Sequence, residues 1–523
     1  MASSCSCSRK YLITLLLVLS MYIQELKNCN AFQTFGFEMH HRYSDQVKSI
    51  LGGDSLPEKG NLEYYAAMVH RDKVFRGRGL AETDDDDFKL LTFLGGNQTF
   101  HLASLGFLHY AFVSLGTPSL PFLVALDTGS DLFWVPCNCT SCVRNLRTIS
   151  GDEISLNIYN SNSSLTSKDV PCNITFCQPK IGCTVLSSDQ CPYQVEYLSK
   201  NTSSSGILVE DLLRLKTDNH KPKDIDARIT FGCGQVQTGA FLDGGAPNGL
   251  FGLGMGKSSV PSLLSMEGLV ADSFSMCFGS DGVGRISFGD KGSPDQEETP
   301  LNLWQQHPAY NISVAQISVG QNLSGVLDFS AIFDSGASVT QLKDPAYTAI
   351  CQSFDTEAKH KRHSFDPRIP FEYCYDFSNA TEFQPPDVTL IMQGGSLFNV
   401  FDPIARFTNG TTTTYCLAVV KSTDVNIIGQ NFMTGYRIVF DREKMVLGWK
   451  ASNCYEIVDH PNIPQIPKKS PPTKNIQPHF VHGGTPRNGL ISRAPQFSAG
   501  KPQNIYLMAW SLFILFLPIL RIV

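Results

Sequence analysis

The sequence predicts an all-β protein made of two related lobes with a cleft between them. Residues 125–130 (Ala-Leu-Asp-Thr-Gly-Ser) and 332–337 (Ile-Phe-Asp-Ser-Gly-Ala) read almost alike, since each is an apolar run that ends in Asp, a hydroxyl residue, Gly and a small residue. The composition agrees, because 42 Gly, 29 Pro and 17% charged residues suit a turn-rich β protein better than a helical one. The repeat indicates one site assembled from two halves.

The two aspartates of this repeat, Asp127 and Asp334, are the candidate catalytic residues. Two carboxyl groups held about 3 Å apart cannot both ionise, so they share one proton and one of them stays a base. The ionised group can take a proton from water while the protonated group hydrogen-bonds a scissile carbonyl, a mechanism that requires neither a cofactor nor a metal. The residues predicted to support the pair are Thr128, Gly129, Ser130, Ser335, Gly336 and Ala337.

Each half also contains an apolar-apolar-Gly segment, at 250–252 and 427–429, which predicts a strand supporting each aspartate loop. With Asp-Leu-Phe-Trp-Val-Pro-Cys at 131–137, Phe-Gly-Cys-Gly at 231–234 and Phe-Ser-Met-Cys at 274–277, the chain resembles the pepsin-like aspartic endopeptidases over roughly 105–455, and among them the plant nepenthesin-like branch. The resemblance implies a bilobal pepsin-like acid protease fold with two six-stranded-type β lobes. It also implies a monomer that acts on extended polypeptides and binds pepstatin-type inhibitors.

The resemblance divides the chain into segments. We expect a signal peptide at 1–30, a propeptide at 31–100, an N-terminal catalytic lobe at 101–300 with a Cys-rich insert at 137–191, and a C-terminal catalytic lobe at 301–457. A Pro-rich linker at 458–504 and a hydrophobic tail at 505–523 follow.

The first segment has the layout of a secretory signal, with Arg9 and Lys10 before the apolar run 11–19. A membrane anchor is the alternative, but a bilayer of roughly 30 Å needs about 20 apolar residues. Basic clusters at 40–42 and 70–73 in the propeptide could lie across an acidic cleft and lose their partners once carboxylates are protonated. A leader without an inhibitory role is the other interpretation.

The end of the chain resembles a signal for a glycosylphosphatidylinositol anchor, with Ser498 or Ser492 as the attachment site before an apolar tail. The alternatives are that the apolar tail is a membrane helix, or that it is neither an anchor signal nor a membrane helix. This pattern predicts a protein at the extracellular face of the plasma membrane, with secretion as the alternative.

Sixteen cysteines indicate an oxidising compartment, and thirteen remain after Cys5, Cys7 and Cys29 of the signal region. The resemblance implies six bridges and leaves Cys351 unpaired. The implied pairs are Cys137–Cys139, Cys142–Cys233, Cys172–Cys191, Cys177–Cys183, Cys277–Cys454 and Cys374–Cys416. Zinc binding by Cys137, Cys139 and Cys142 is the competing interpretation.

Nine Asn-x-Ser/Thr sequons support passage through the secretory pathway. One of them, Asn138, falls between two cysteines of the insert. The other candidates are Asn97, Asn162, Asn173, Asn201, Asn311, Asn322, Asn379 and Asn409.

A lid over the substrate is supplied in this family by a hairpin whose Tyr meets a Trp, and Tyr197 and Trp134 fit these roles. Tyr193 is the alternative lid residue, and core packing is the alternative role for the Tyr and the Trp. The glycines that the family places after this Tyr are absent, so the shape of the lid tip stays open.

The two halves differ where Ser130 in the first corresponds to Ala337 in the second. Alanine cannot donate a hydrogen bond to an ionised carboxylate, so we expect an activity optimum less acidic than that of pepsin.

Three function classes follow. An active endopeptidase is the first, a catalytically silent binding or inhibitor protein is the second, and a structural surface glycoprotein is the third. A net charge of −6 and the lack of a long basic patch argue against nucleic acid as a partner.

Overall fold

The computed structural model describes residues 34–455 except for a set of internal segments. These segments are 43, 48–58, 77–90, 93–98, 101–107, 148–152, 173–176, 178–182, 184–189, 198–200, 218–222, 243–244, 281, 304–308, 378–382 and 410–411. The described residues lie in one compact unit, Met1–Val458. The predicted signal peptide, linker, tail and anchor sites Ser492 and Ser498 lie outside the described residues.

Strands dominate the structure. Those of the first 300 residues are β1 (Phe35–His41), β2 (Leu91–Thr92), β3 (Thr99–Phe100), β4 (His109–Leu115), β5 (Leu120–Asp127), β6 (Trp134–Ser141), β7 (Asn145–Arg147), β8 (Glu153–Ser155), β9 (Lys168–Asp169), β10 (Pro192–Glu196), β11 (Ser203–Lys216), β12 (Asp224–Gln237), β13 (Leu250–Gly252), β14 (Ser273–Phe278), β15 (Val283–Phe288) and β16 (Glu297–Pro300).

The remaining strands are β17 (Asn311–Val319), β18 (Asn322–Leu323), β19 (Phe329–Phe333), β20 (Thr340–Leu342), β21 (Lys361–Arg362), β22 (Cys374–Phe377), β23 (Val388–Met392), β24 (Leu397–Val400), β25 (Ile404–Asn409), β26 (Thr412–Leu417), β27 (Val419–Lys421), β28 (Ile427–Ile428), β29 (Tyr436–Asp441) and β30 (Val446–Ala451). The α-helices are α1 (Leu62–Arg76), α2 (Val260–Met266), α3 (Ala346–Glu357) and α4 (Gln430–Met433), and short 3-10 helices span Ser161–Ser163 and Gly239–Phe241. Among the described residues, no helix is long and apolar enough to cross a membrane.

The strands form two lobes, which confirms the all-β, two-lobed prediction. A 14-stranded sheet has the order β10-β11-β12-β6-β13-β5-β4-β1-β15-β14-β29-β30-β16, with β9 attached to β11. The second lobe contains an 8-stranded sheet, β24-β23-β17-β19-β28-β20-β27 with β18, and a 4-stranded sheet, β21-β22-β26-β25. The large sheet has more strands than a six-stranded lobe, and its additional strands include β1 of the predicted propeptide, which we call the leader, and the C-terminal hairpin β29–β30.

The leader strand β1 is part of the core. Phe35, Phe37 and Met39 alternate along it and are all buried, as a strand with one face on a core requires. The strand pairs with β15 along Phe35–His40 and with β4 through His40 and His41. A Cβ on Gly36 would lie 2.5 Å from the Ile286 carbonyl oxygen, so this close approach requires glycine. The leader is therefore a strand in the middle of a sheet.

Two connections fasten the C-terminal hairpin to the first lobe. Asp290, which follows β15, accepts two hydrogen bonds from the Arg437 guanidinium at 2.8 and 2.6 Å and one from the Ser275 hydroxyl. The disulfide Cys277–Cys454 joins β14, which also contains Ser275, to the residues after β30. A bidentate ion pair with a buried carboxylate and a covalent link thus hold both chain halves in one sheet.

Candidate active site

The first aspartate loop follows β5, whose last residue is Asp127. The supporting strand β13 pairs in parallel with β5 and places Gly252 opposite Asp127. The Gly129 N–H donates to Asp127 Oδ1 at 3.0 Å, and the Ser130 hydroxyl donates to Oδ2 at 2.6 Å. Both bonds hold the carboxylate, which is buried, in one orientation.

The second aspartate loop repeats this arrangement after β19. The supporting strand β28 pairs in parallel with β19, and the Asp334 N–H donates to the Ile428 carbonyl at 3.1 Å. The Gly336 N–H donates to Asp334 Oδ1 at 2.8 Å, as Gly129 does in the first loop. Ala337 is fully buried and offers a methyl group where Ser130 offers a hydroxyl. The two carboxylates therefore sit on matching loops that differ in the residue after the glycine, Ser130 in one and Ala337 in the other.

The two loops meet through their hydroxyl residues. Thr128 Oγ1 accepts from the Ser335 N–H at 3.2 Å and lies 3.3 Å from Ser335 Oγ. A Cβ built on Gly129 would lie 3.2 Å from Asp127 Oδ1 and 3.8 Å from Asp334 Oδ2, so both carboxylates border the same glycine. The carboxylates of Asp127 and Asp334, 207 residues apart in the chain, thus lie close together beside Gly129 and between the lobes.

The predicted lid residues are in contact. Tyr197 lies at the tip of the β10–β11 hairpin, where its N–H donates to the Thr202 carbonyl, and the Trp134 indole N–H donates to its hydroxyl at 2.8 Å. Burial raises the pKa of the Tyr197 phenol well above its ordinary value, so the hydroxyl stays protonated. The alternative residue, Tyr193, is buried, and its hydroxyl hydrogen-bonds Ser204 Oγ at 2.9 Å. It belongs to the core of the hairpin.

One member of the lid cluster was not predicted. The Phe241 ring makes edge contacts with both Trp134 and Tyr197, with 4.9 Å between ring centroids in each case. The residue lies in the 3-10 helix after β12, where no local pattern in the sequence distinguishes it. The result is a three-ring cluster beside the first aspartate loop.

The disulfide pairs of the insert differ from those expected. The structure contains Cys137–Cys233, Cys139–Cys142, Cys172–Cys183 and Cys177–Cys191. The predicted pairs Cys137–Cys139, Cys142–Cys233, Cys172–Cys191 and Cys177–Cys183 are therefore wrong.

The geometry explains the correction. Cys233 of β12 pairs with Val135 of the neighbouring parallel strand β6, and Cys137 lies two residues further along β6 on the same face, 4.8 Å from Cys233 between Cα atoms. Residues two apart on one strand, such as Cys137 and Cys139, are about 6.6 Å apart, near the upper limit for a disulfide. The zinc interpretation fails for the same reason, because Cys137, Cys139 and Cys142 are all in disulfides. The predicted pairs Cys277–Cys454 and Cys374–Cys416 are present, and Cys351 is free and buried.

One glycosylation candidate is buried. Asn311 is 6% exposed in strand β17, and its side-chain oxygen accepts from Asn302 at 2.7 Å, so burial disfavours a glycan at this position. Asn138, Asn162 and Asn201 are exposed, and Asn322 is half-buried. Asn97, Asn173, Asn379 and the side chain of Asn409 lie outside the described residues.

The leader helix α1 reaches the second aspartate loop. Arg71 Nη1 donates to the Gly336 carbonyl at 2.8 Å and to Asp72 Oδ1 at 2.6 Å, and both side chains are buried. The Asp72 carboxylate accepts from Ser338 N–H (2.9 Å), Ser338 Oγ (2.9 Å) and Val339 N–H (3.1 Å). The sequence predicted a basic segment facing acidic groups, but a leader carboxylate makes most of these contacts and the loop contributes backbone donors. We call the Arg71–Asp72 pair with these loop contacts the leader clasp.

Comparison with known proteins agrees with this site. Residues 109–290 match the family model "Xylanase inhibitor N-terminal" and residues 309–451 match "Xylanase inhibitor C-terminal". The chain is 56% identical to Aspartyl protease family protein 1 of Arabidopsis thaliana over 452 residues, covering 86% of this chain and 87% of that protein. It is 38% identical to Aspartic proteinase-like protein 1 of the same plant, covering 81% and 82%.

Solved structures share the fold at low identity. Conglutin gamma from lupine seeds superposes with a TM-score of 0.52 at 20% identity, covering 67% of this chain and 93% of that one. Basic 7S globulin from soybean gives a TM-score of 0.51 at 20% identity, covering 66% and 92%. Taken with the paired aspartate loops and their supporting strands, these relationships show that the chain belongs to the plant pepsin-like aspartic protease family.

Proposed function

We propose that the protein is an aspartic endopeptidase that hydrolyses peptide bonds with a water activated between Asp127 and Asp334. The observation that carries the proposal is the pair of matching loops, each with a buried carboxylate held by a glycine N–H and both bordering Gly129. The names of the relatives at 56% and 38% identity support the same chemistry.

The mechanism assigns one role to each carboxylate. Two neighbouring carboxyl groups share a proton, so the ionised one takes a proton from water while the protonated one hydrogen-bonds the scissile carbonyl. The roles reverse when the leaving nitrogen is protonated. Because the Ser130 hydroxyl and the Gly129 N–H both donate to Asp127 and such bonds favour the charged form, we assign Asp127 as the ionised base.

The substrate lies as an extended polypeptide under the lid formed by Tyr197 and the β10–β11 hairpin. Hairpin backbone groups can hydrogen-bond an extended chain as an added strand does, and the three-ring cluster of Trp134, Tyr197 and Phe241 supplies an apolar wall. A pepstatin-type inhibitor would occupy the same cleft.

The test is cleavage of a fluorogenic peptide library from pH 3 to 7 by the processed protein, with Asp127→Asn and Asp334→Asn as variants. We expect cleavage by the parent, its block by pepstatin and its loss in both variants. If the parent, like the variants, cleaves no peptide after confirmed removal of the leader, the proposal is contradicted.

A catalytically silent binding protein is the second candidate, because the matching family models carry the name of xylanase inhibitors. Retention of both aspartates and both supporting strands favours the peptidase. Inhibition of a xylanase by a protein that cleaves no peptide at any pH would favour the second candidate.

We further propose that the chain enters the secretory pathway through residues 1–30 and is held at the cell surface by a lipid at Ser498 or Ser492. The sequence pattern at each end supports this proposal. Release of the protein from plant membranes by a phosphatidylinositol-specific phospholipase C would support the lipid anchor, and retention after this treatment would contradict it.

A further inference from the structure

The lid hairpin carries a glycosylation sequon where it turns. Asn201, Thr202 and Ser203 form an Asn-x-Ser sequence, and Asn201 lies four residues after the lid residue Tyr197. Asn201 is exposed, and its φ of 57° lies in the left-handed region, which asparagine tolerates better than most residues. The Tyr197 N–H donates to the Thr202 carbonyl, so Asn201 lies within the turn that closes the hairpin.

The backbone around Asn201 is held in place while its side chain lies in solvent. Thr238 Oγ1 donates to the Asn201 carbonyl at 2.7 Å, and the Ala240 N–H donates to Thr202 Oγ1 at 3.1 Å. Thr202 is 3% exposed. A Cβ on Gly239 would lie 2.5 Å from the Asn201 carbonyl oxygen, so the turn packs closely on this segment. A group attached to the Asn201 side chain therefore has a fixed base and extends into solvent.

The same turn belongs to the part of the lid that borders the candidate active site. The Phe241 ring follows the segment that holds the turn, and it contacts both Trp134 and Tyr197. Burial raises the pKa of the Tyr197 phenol, and the charge of Asp127 adds to this effect, so the lid hydroxyl is within electrostatic reach of the first aspartate. Asn201 therefore lies at the rim of the cleft that the lid covers.

We propose that Asn201 carries an N-linked glycan that limits the substrates of the peptidase by their bulk. In the transfer, the Asn201 side-chain nitrogen bonds to the anomeric carbon of a lipid-linked oligosaccharide, the bond from this carbon to the pyrophosphate breaks, and the amide loses one proton. A glycan is bulky, so it fills space that the folded part of a protein substrate would need.

The proposal names a substrate class and rests on the proposed peptidase function. Peptides, and cleavage sites within long flexible segments, reach the paired aspartates because an extended chain is thin. Cleavage sites close to a folded domain are excluded, because the domain and the glycan would overlap at the lid.

The modification is tested on the protein purified from plant cells. Peptide N-glycosidase in heavy-oxygen water releases the glycan and leaves a labelled aspartate, which mass spectrometry detects in the peptide that contains Asn201. We expect the label in the parent and not in Ser203→Ala, which removes the sequon and keeps asparagine in the turn. An unlabelled Asn201 in the parent would overturn the proposal.

The substrate limit is tested with one cleavable sequence, chosen from the peptide library and placed between two fluorescent-protein domains by short or by long flexible linkers. Removal of the glycan from the folded parent should raise kcat/KM for the short-linker fusion about fivefold or more and change that for the long-linker fusion less than about twofold. The ratio of the two values should rise in the same way in Asn201→Asp and in Ser203→Ala.

Two control variants separate the glycan from other changes in the first lobe. Ser203→Thr keeps the sequon and should keep the ratio of the parent. Asn162→Asp removes another exposed sequon and should also keep it. Ser164, two residues after Asn162, bonds Asp211 of β11, which lies eight residues and about 26 Å along the strand from Ser203.

An unchanged ratio after removal of the glycan would overturn the substrate limit. The affinity of the two fusions for the Asp127→Asn chain, after removal of the leader, gives the same ratio without cleavage. A parent that cleaves no peptide would therefore overturn the proposed function, while the affinities still decide the substrate limit. If neither fusion binds the Asp127→Asn chain, both the substrate limit and the proposed function are overturned.

Discussion

Replacing Asp72 by Asn should open the leader of the precursor at neutral pH. The Asp72 carboxylate is 2% exposed, accepts from Arg71 and receives two backbone N–H groups and one hydroxyl of the second aspartate loop. Removing one partner of a buried ion pair costs about 3–5 kcal/mol, and we take the lower end because asparagine keeps one acceptor. About 3 kcal/mol raises the open population by roughly a hundredfold.

Limited trypsin digestion at pH 7.5 measures this population, because α1 contains Arg71, Lys73 and Arg76 as cleavage sites. When reclosing is fast relative to cleavage, the cleavage rate follows the open fraction. The matched control is Asp402→Asn, which breaks the leader's exposed ion pair with Lys59 and should change the rate less than about fivefold. Equal rates for Asp72→Asn and its parent, or equal effects of the two variants, would refute the clasp.

Three further outcomes are expected. Ala337→Thr should supply a hydroxyl to Asp334 and shift the acid limb of the kcat/KM profile about one pH unit lower, and an unshifted limb would contradict the explanation. Tyr197→Phe should lower kcat/KM about tenfold through loss of its bond to the indole, while Tyr193→Phe should act on thermal stability instead; the reverse pattern would assign the lid to Tyr193. Asp290→Asn should destabilise the fold by about 3 kcal/mol in thermal unfolding, because it removes the buried carboxylate that pairs bidentately with the Arg437 guanidinium. The exposed counterpart Asp295→Asn should change the melting temperature far less, and similar losses would show that burial of the pair is unimportant.

The aspartate loops were predictable because their information is local. Each loop is a short motif after an apolar strand, and the supporting strands carry a second motif in the same order. Tyr197 was predictable for a related reason, since polar residues between two strand-like runs indicate a hairpin. These parts of the site are encoded within a few residues each.

The disulfides and the leader were less predictable because they depend on pairing across the sheet. Spacing along the chain does not reveal that Cys137 and Cys233 are strand neighbours. The alternation of Phe35, Phe37 and Met39 was a signal for a buried strand, but the basic residues after it favoured a segment that lies over a cleft. Asp72 was hidden in the same way, within a run of basic residues.

The position of β1 has a consequence for preparing the protein without its leader. The strand lies between β4 and β15, which pair with it on either side. Burial of its three large apolar side chains stabilises the fold by about 6 kcal/mol. A gene that begins at residue 101 would encode a chain that must fold around an empty slot with two unpaired strand edges, an arrangement that promotes aggregation. Residues 35–41 therefore serve the folding chain as a template, and protein without the leader is best obtained by expressing the whole chain and cutting it after it has folded.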